Sequence, residues 1–176
     1  MKLKGKKVAI FVDDFYQIVE FWYPYYRMKE EGADVKVVSR AETHLTRHGY
    51  PSQKRDLTPS EVAAQDFDAV VIPGGYAPDY MRNDANLVRF VKEMNDAVKI
   101  VAAICHGPWV PISAGIVKGR AVTSASSIRT DVTNAGARYV DQEVVRDGNL
   151  ITSRAPDDLP AFCREIISAL ASKDER

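Results

Sequence analysis

Along this chain, short runs of β-branched and other apolar residues alternate with stretches whose apolar positions recur every three to four residues. That is the pattern of strands separated by amphipathic helices. Residues 7–12 read as a buried strand ending at Asp13 and Asp14. A helix is predicted over about 19–31, stopped by Gly32, with Pro24 confined to its first turn or kinking it. Strands follow at 35–38 and 69–72, the second running into Pro73-Gly74-Gly75. Residues 86–94 place Leu87, Phe90, Val91 and Met94 on one helical face. The stretch 99–104 is almost wholly apolar, as expected of a strand covered by helices on both faces. Asp147-Gly148 between apolar runs predicts a hairpin over 144–151. A last helix over 159–170 carries Leu159, Phe162, Cys163, Ile166, Ile167 and Leu170 on one stripe.

This order predicts one α/β domain over residues 1–176, a three-layer sandwich with a mostly parallel sheet and helices on both faces. Functional groups in such folds gather at the C-terminal ends of the strands. Asp13, Asp14, Gly74, Gly75 and Cys105 all fall at predicted strand ends.

Composition narrows the function without naming it. Lys plus Arg is 24 and Asp plus Glu is 24, so the formal net charge is zero and no basic excess points to nucleic acid. No run approaches the roughly 18 apolar residues that would span a bilayer, and the apolar run at 8–12 is too short for a secretory segment. Cys105 and Cys163 are too few for a disulfide framework, so a cytoplasmic protein with reduced thiols is expected. No nucleic acid, membrane, metal or cofactor is expected as a partner. His44 and His48, four apart, would serve a metal only on a shared helical face with a third ligand, and the surrounding residues read as loop.

The chemistry centres on Ala103-Ile104-Cys105-His106-Gly107. The stretch follows the most apolar strand and precedes a segment able to begin a helix. Small residues on both sides of a nucleophile allow the sharp turn of a nucleophile elbow. A thiol at a helix N-terminus is expected to have a lowered pKa. The backbone N–H groups of His106 and Gly75 are candidates for holding an oxyanion, and Gly74, Gly75 and Gly107 are the glycines expected to line that wall. Glu20, just beyond the first strand, would share a proton with the thiol if the fold brings them together. His106 adjoins Cys105, and side chains diverge on a sharp turn, which predicts poor aim at its own cysteine. Cys163, on an apolar stripe, is expected to be core.

The chain resembles the PfpI family, in the superfamily that also holds the Parkinsonism-associated deglycase. The resemblance runs from about residue 8 to 170. It rests on Glu20-Phe21-Trp22-Tyr23-Pro24, Pro73-Gly74-Gly75-Tyr76-Ala77-Pro78, Ala103-Ile104-Cys105-His106-Gly107-Pro108 and Asn134-Ala135-Gly136-Ala137. It implies a flavodoxin-like fold, Cys105 as nucleophile, Glu20 as its protonated partner and a homo-oligomer: a dimer, or a hexamer built of dimers. It also implies a triad of Cys105, His106 and an acid from a neighbouring subunit. That acid is usually Glu, and the position here is Asp79, shorter by one methylene. Relatives in the deglycase branch carry a second His after the next strand; this chain has Ser124-Ala125-Ser126-Ser127 there, so a further general base must come from elsewhere.

The implied activities are a glutathione-independent glyoxalase converting methylglyoxal to lactate, a deglycase acting on glycated protein or peptide, and an intracellular cysteine peptidase. A small carbonyl substrate ranks first. A non-catalytic redox sensor or chaperone, with Cys105 oxidised to sulfinate, is the rival from another class. A glutamine amidotransferase needs a catalytic His after the cysteine, and none follows His106.

Overall fold

The computed structural model describes residues 1–172. Its strands are β1 (Lys7–Phe11), β2 (Asp34–Val38), β3 (Ala69–Ile72), β4 (Ile100–Ile104), β5 (Ala121–Val122), β6 (Arg138–Tyr139), β7 (Val144–Asp147) and β8 (Leu150–Ser153). Its helices are α1 (Ile18–Glu30), α2 (Ala77–Met81), α3 (Ala85–Asp96), α4 (Trp109–Ser113), α5 (Arg129–Asn134) and α6 (Leu159–Ala171). Six strands form one sheet in the order β2-β1-β3-β4-β8-β7, parallel except for the edge strand β7. β5 and β6 pair separately, in parallel. This is the mostly parallel α/β arrangement that the alternating pattern predicts, and the flavodoxin-like fold that the resemblance implies.

The chain steps from β1 outward to β2, then returns past β1 to β3 and on to β4. Right-handed crossovers on both sides of such a reversal put the connecting helices on opposite faces. Accordingly α6 packs beside α1, and α3 beside α4. Every side chain of β3 and β4 is buried, which explains why both read as unbroken apolar runs. The reversal also makes the ends of β1 and β3 a switch point, where the loops that follow part to opposite faces.

Asp84 caps α3, its side chain accepting from the N–H groups of Asn86 (2.9 Å) and Leu87 (3.4 Å). The predicted stripe of Leu87, Phe90, Val91 and Met94 is fully inside. Phe90 meets Phe11 of β1 at 5.8 Å and Phe67, just before β3, edge-on at 5.6 Å. The predicted hairpin is β7–β8, with Asp147 opposite Leu150 and Gly148 at φ 61° in the turn. Cys163 is buried in α6, as its stripe requires.

One expectation is corrected. Pro24 is the seventh of the 13 residues of α1, well beyond the first turn. Its missing N–H falls opposite the carbonyl of Glu20, four residues earlier. Pro24 is buried, so its compact ring serves the packed face of the helix.

Truncating Phe90 to Ala removes the ring that joins α3 to β1 and to the approach of β3. The variant is expected to lose about 3–5 kcal/mol of stability. Urea unfolding should show a lower midpoint at unchanged slope.

Candidate active site

The loops after β1 and β3 are laced together at the switch point. Gly75 bridges Tyr16, Gln17 N–H donates to the Gly74 carbonyl at 3.2 Å, and Tyr76 N–H donates to the Phe15 carbonyl at 3.0 Å. A Cβ on Gly75 would lie 2.4 Å from the Phe15 carbonyl oxygen, and Gly75 has φ 77°, so glycine is required twice over. Gln17 caps α1, its side chain accepting from Glu20 N–H at 2.9 Å. Glu20 is therefore the third residue of the helix. Its carboxylate does not turn back to the cap, as it would in a capping box. It points inward, fully buried, with Oε2 accepting from Gly74 N–H at 2.8 Å.

Cys105 follows β4 with φ 63°, a left-handed backbone that a side-chain-bearing residue adopts at a cost of about 1–3 kcal/mol. This is the sharp turn after β4 that the small residues around Cys105 predict. Three hydrogen bonds hold the turn: Cys105 N–H to the Ser153 carbonyl (3.0 Å), Ala125 N–H to the Cys105 carbonyl (3.0 Å), and Gly107 N–H to the Ile104 carbonyl (2.8 Å). A Cβ on Gly107 would sit 2.5 Å from the Ile72 carbonyl oxygen, so Gly107 permits the turn. Its N–H is spent on Ile104 and that of Gly74 on Glu20, so neither N–H is free to hold an oxyanion. The backbone N–H groups of Gly75 and His106 face the Cys105 sulfur and favour its thiolate form.

Burial pushes the Glu20 carboxyl from an ordinary 4.5 up to about 7, against the hydrogen bonds from Gly74 and Cys105 that pull it down. Its Oε1 has no hydrogen-bond partner, whereas Oε2 accepts from Gly74, so Oε1 is the oxygen that would carry the proton. The Cys105 thiol is pushed up to about 12, first by burial and then by the charge of Glu20, against the two backbone donors. This overturns the expectation of a dipole-lowered thiol. The thiol is largely buried, and α4, only five residues long, begins four residues further on. Once Glu20 holds its proton its charge is gone, and its O–H can donate to a thiolate.

His106 is better aimed than the turn suggests. Its Nδ1 lies 3.2 Å from Cys105 Sγ and its Nε2 lies 3.0 Å from Ser127 Oγ. Burial lowers its pKa, partly offset by Asp131. Trp109 meets the imidazole edge-on at 5.0 Å and donates its indole N–H to Asp131 at 2.8 Å, while Arg82 covers the indole at 4.7 Å. Thus the serine-rich loop that lacks a second histidine instead supplies a partner to the first. Sequence reading passed over Ser127, Trp109 and Gln17. Only Gln17, three residues before Glu20, carried a recognisable spacing signal.

Asp79, on α2, is not brought to His106 of its own chain. It pairs with Arg82 at 2.7 Å and is about half exposed. His44 and His48 share no helix: His44 is buried with Nδ1 2.8 Å from Asp14, and His48 is exposed. Asp13 is clamped by Arg40 through two 2.8 Å bonds, so Asp13, Asp14 and His44 anchor the loop after β1 away from the thiol. A cleft of about 750 Å³ lined by Asn95, Ile100, Arg120 and Asn149 lies at the opposite, N-terminal end of β4 and β8. It is remote from the chemistry at Cys105.

The fold and this site define an α/β protein with a cysteine elbow and a buried carboxyl at its switch point. The chain belongs to the DJ-1/PfpI family, whose sequence profile matches residues 6–169. It is 46% identical over 165 residues to the deglycase PfpI of Pyrococcus furiosus, covering 93% of this chain and 99% of that protein. It is 43% identical over 168 residues to YraA of Bacillus subtilis, named as a candidate cysteine protease, covering 94% of this chain and 99% of that one. A crystal structure from Anabaena variabilis, of a two-domain protein with DJ-1/ThiJ/PfpI-like and ferritin-like domains, superposes with a TM-score of 0.92 at 45% identity. That match covers 94% of this chain and 48% of the two-domain protein. These names support an enzyme of the PfpI type.

The raised Glu20 pKa has a definite signature in stability. Between pH 4.5 and 7 the folded chain keeps a proton that the unfolded chain releases, so stability falls as pH rises through that window. Glu20→Gln keeps the shape and removes the titration. Relative to this variant, the wild type is expected to lose about 3 kcal/mol between pH 4.5 and 8, as read by urea unfolding at each pH.

Proposed function

We propose that the protein is a cysteine-dependent enzyme acting on reactive carbonyls, a glutathione-independent glyoxalase and deglycase with Cys105 as nucleophile. The observation that carries this reading is the convergence on one sulfur of a buried carboxyl, an imidazole nitrogen and two backbone N–H groups. A protonated Glu20 can stabilise a Cys105 thiolate by donating its O–H to it. The names of the deglycase relatives support the carbonyl chemistry.

In the proposed reaction the thiolate attacks the aldehyde carbon of methylglyoxal and forms a C–S bond, while the C=O pair moves to oxygen. The alkoxide accepts from the N–H groups of Gly75 and His106 and takes a proton to become a hemithioacetal. A base, for which neutral His106 is positioned, removes the proton on the former aldehyde carbon. The electron pair flows to the ketone carbon, which is reduced and protonated, while the former aldehyde carbon is oxidised to a thioester. Water cleaves the thioester, releasing lactate and the thiol. Atoms balance as methylglyoxal plus water giving lactate, with no external oxidant. For a glycated amine or thiol the hemiaminal or hemithioacetal first breaks its C–N or C–S bond, the hydroxyl proton passes to the departing amine or thiol, and the re-formed aldehyde is attacked by the same thiolate.

A peptidase is the second reading, favoured by the 3.2 Å Cys105–His106 contact and by the name of the B. subtilis relative. The aldehyde reaction ranks first because a small, part-buried thiol site suits a three-carbon substrate better than a peptide chain.

Cys105→Ala is expected to abolish methylglyoxal consumption and lactate formation without glutathione, while Cys163→Ala keeps near wild-type turnover. Circular dichroism should show both variants folded. Equal loss in both would remove Cys105 as the nucleophile. Inactivity of reduced, folded wild type toward the aldehyde, with cleavage of peptides, would put the peptidase first.

A further inference from the structure

We propose that Ser127 is a positioning residue that fixes the tautomer of His106, so that the relay behind the thiol is completed within one chain. The inference rests on the reading of Cys105 as nucleophile. The His106 ring has two neighbours in its plane of hydrogen bonding: Cys105 Sγ at 3.2 Å from Nδ1 and Ser127 Oγ at 3.0 Å from Nε2. A neutral imidazole has one N–H to place. Oxygen is the stronger acceptor and S–H a weak donor in search of a lone pair, so the favoured arrangement puts the proton on Nε2, donated to Ser127. Nδ1 then offers its lone pair to the Cys105 thiol. When the thiol gives up its proton, Nδ1 takes it, and the imidazolium gains a charge-assisted bond to the same hydroxyl.

The position of Ser127 is set by the elbow itself. Ala125 N–H donates to the Cys105 carbonyl at 3.0 Å, so the turn that carries Ser127 is tied to the strained residue it serves. The charged and titratable groups around His106 are Cys105 with Glu20 behind it, Asp131 held by the Trp109 indole, and Arg82 above that indole, itself paired with Asp79. None of these takes Nε2. Ser127 does, at the ring nitrogen where an acid from a neighbouring subunit would have to bind.

Ser127 is exposed, so Ser127→Ala is expected to fold normally, and Ser127→Thr retains the hydroxyl. The test measures the rate of Cys105 alkylation by iodoacetamide against pH, in a Cys163→Ala background, alongside methylglyoxal turnover. Ser127→Ala should slow alkylation about five- to tenfold near neutral pH, the worth of one hydrogen bond. The midpoint of the profile should move up by about 0.7–1 pH unit, because a weaker imidazolium supports the thiolate less well. Ser127→Thr should restore both. A wild-type profile in Ser127→Ala would overturn the proposal. Alkylation needs no aldehyde chemistry. A protein inert to methylglyoxal would therefore lose the activity assignment and still decide the role of Ser127.

Discussion

A carboxyl group without access to water, set against a thiol, governs what every neighbouring group in this site must do. Glu20 is fully buried, yet it is also the third residue of a helix whose first turn favours negative charge. Burial wins: the carboxyl is held near 7, far above its ordinary range. The close approach that achieves this leaves no room for a side chain at residue 74, where a Cβ would lie 2.6 Å from Glu20 Oε2 and 2.7 Å from Cys105 Cβ. Gly74 is thus required by the carboxyl as much as by the turn after β3. A buried ionised carboxylate with one hydrogen bond would be expensive, whereas a neutral acid facing a thiolate confines the pair to one negative charge.

The second constraint is the backbone of Cys105, and the sheet order explains how the fold sustains it. β4 lies between β3 and β8, so the elbow is flanked on one side by the Gly74–Gly75 turn and on the other by Ser153. The β3 end supplies the Gly75 N–H that faces the sulfur, and Ser153 of β8 accepts the Cys105 N–H. The strain is local and its compensation is non-local. A left-handed cysteine is tolerated where three strands end together and would be an unsupported cost elsewhere in the chain.

This division also explains what was legible in the sequence. The long elements showed themselves because burial on both faces of β3 and β4 leaves only apolar residues, and because α3 and α6 each bury one continuous stripe. The elbow showed itself through Gly107, where a Cβ would strike the Ile72 carbonyl. The short pieces, β5, β6, α2 and α5, bury too few residues each to impose a period. Glu20 could be placed near the site by its position after β1, but no pattern in the residues says that it points inward, since an exposed carboxylate at a helix start looks the same. Ser127 left no trace, because a single hydroxyl in a serine-rich loop acquires meaning only from the hydrogen bond that pins that loop to Cys105. The thiol was misjudged for a related reason: proximity to a helix start is visible in sequence, whereas its burial is not.

The two perturbed groups on either side of the sulfur divide the proton work by environment. Burial raises an acid and lowers a base, so one cause brings Glu20 to about half protonated near pH 7 and favours neutral His106. A donor and an acceptor thus face the same thiol without neutralising each other, as two solvated groups of ordinary pKa would. Glu20 can stabilise a thiolate by donating, and His106 can remove a proton from carbon and return it. Water entering the site would push both groups back toward their ordinary values, leaving a carboxylate beside the sulfur and an imidazole more readily protonated. Exclusion of solvent therefore does more here than stabilise the fold: it sets the protonation states from which the chemistry starts.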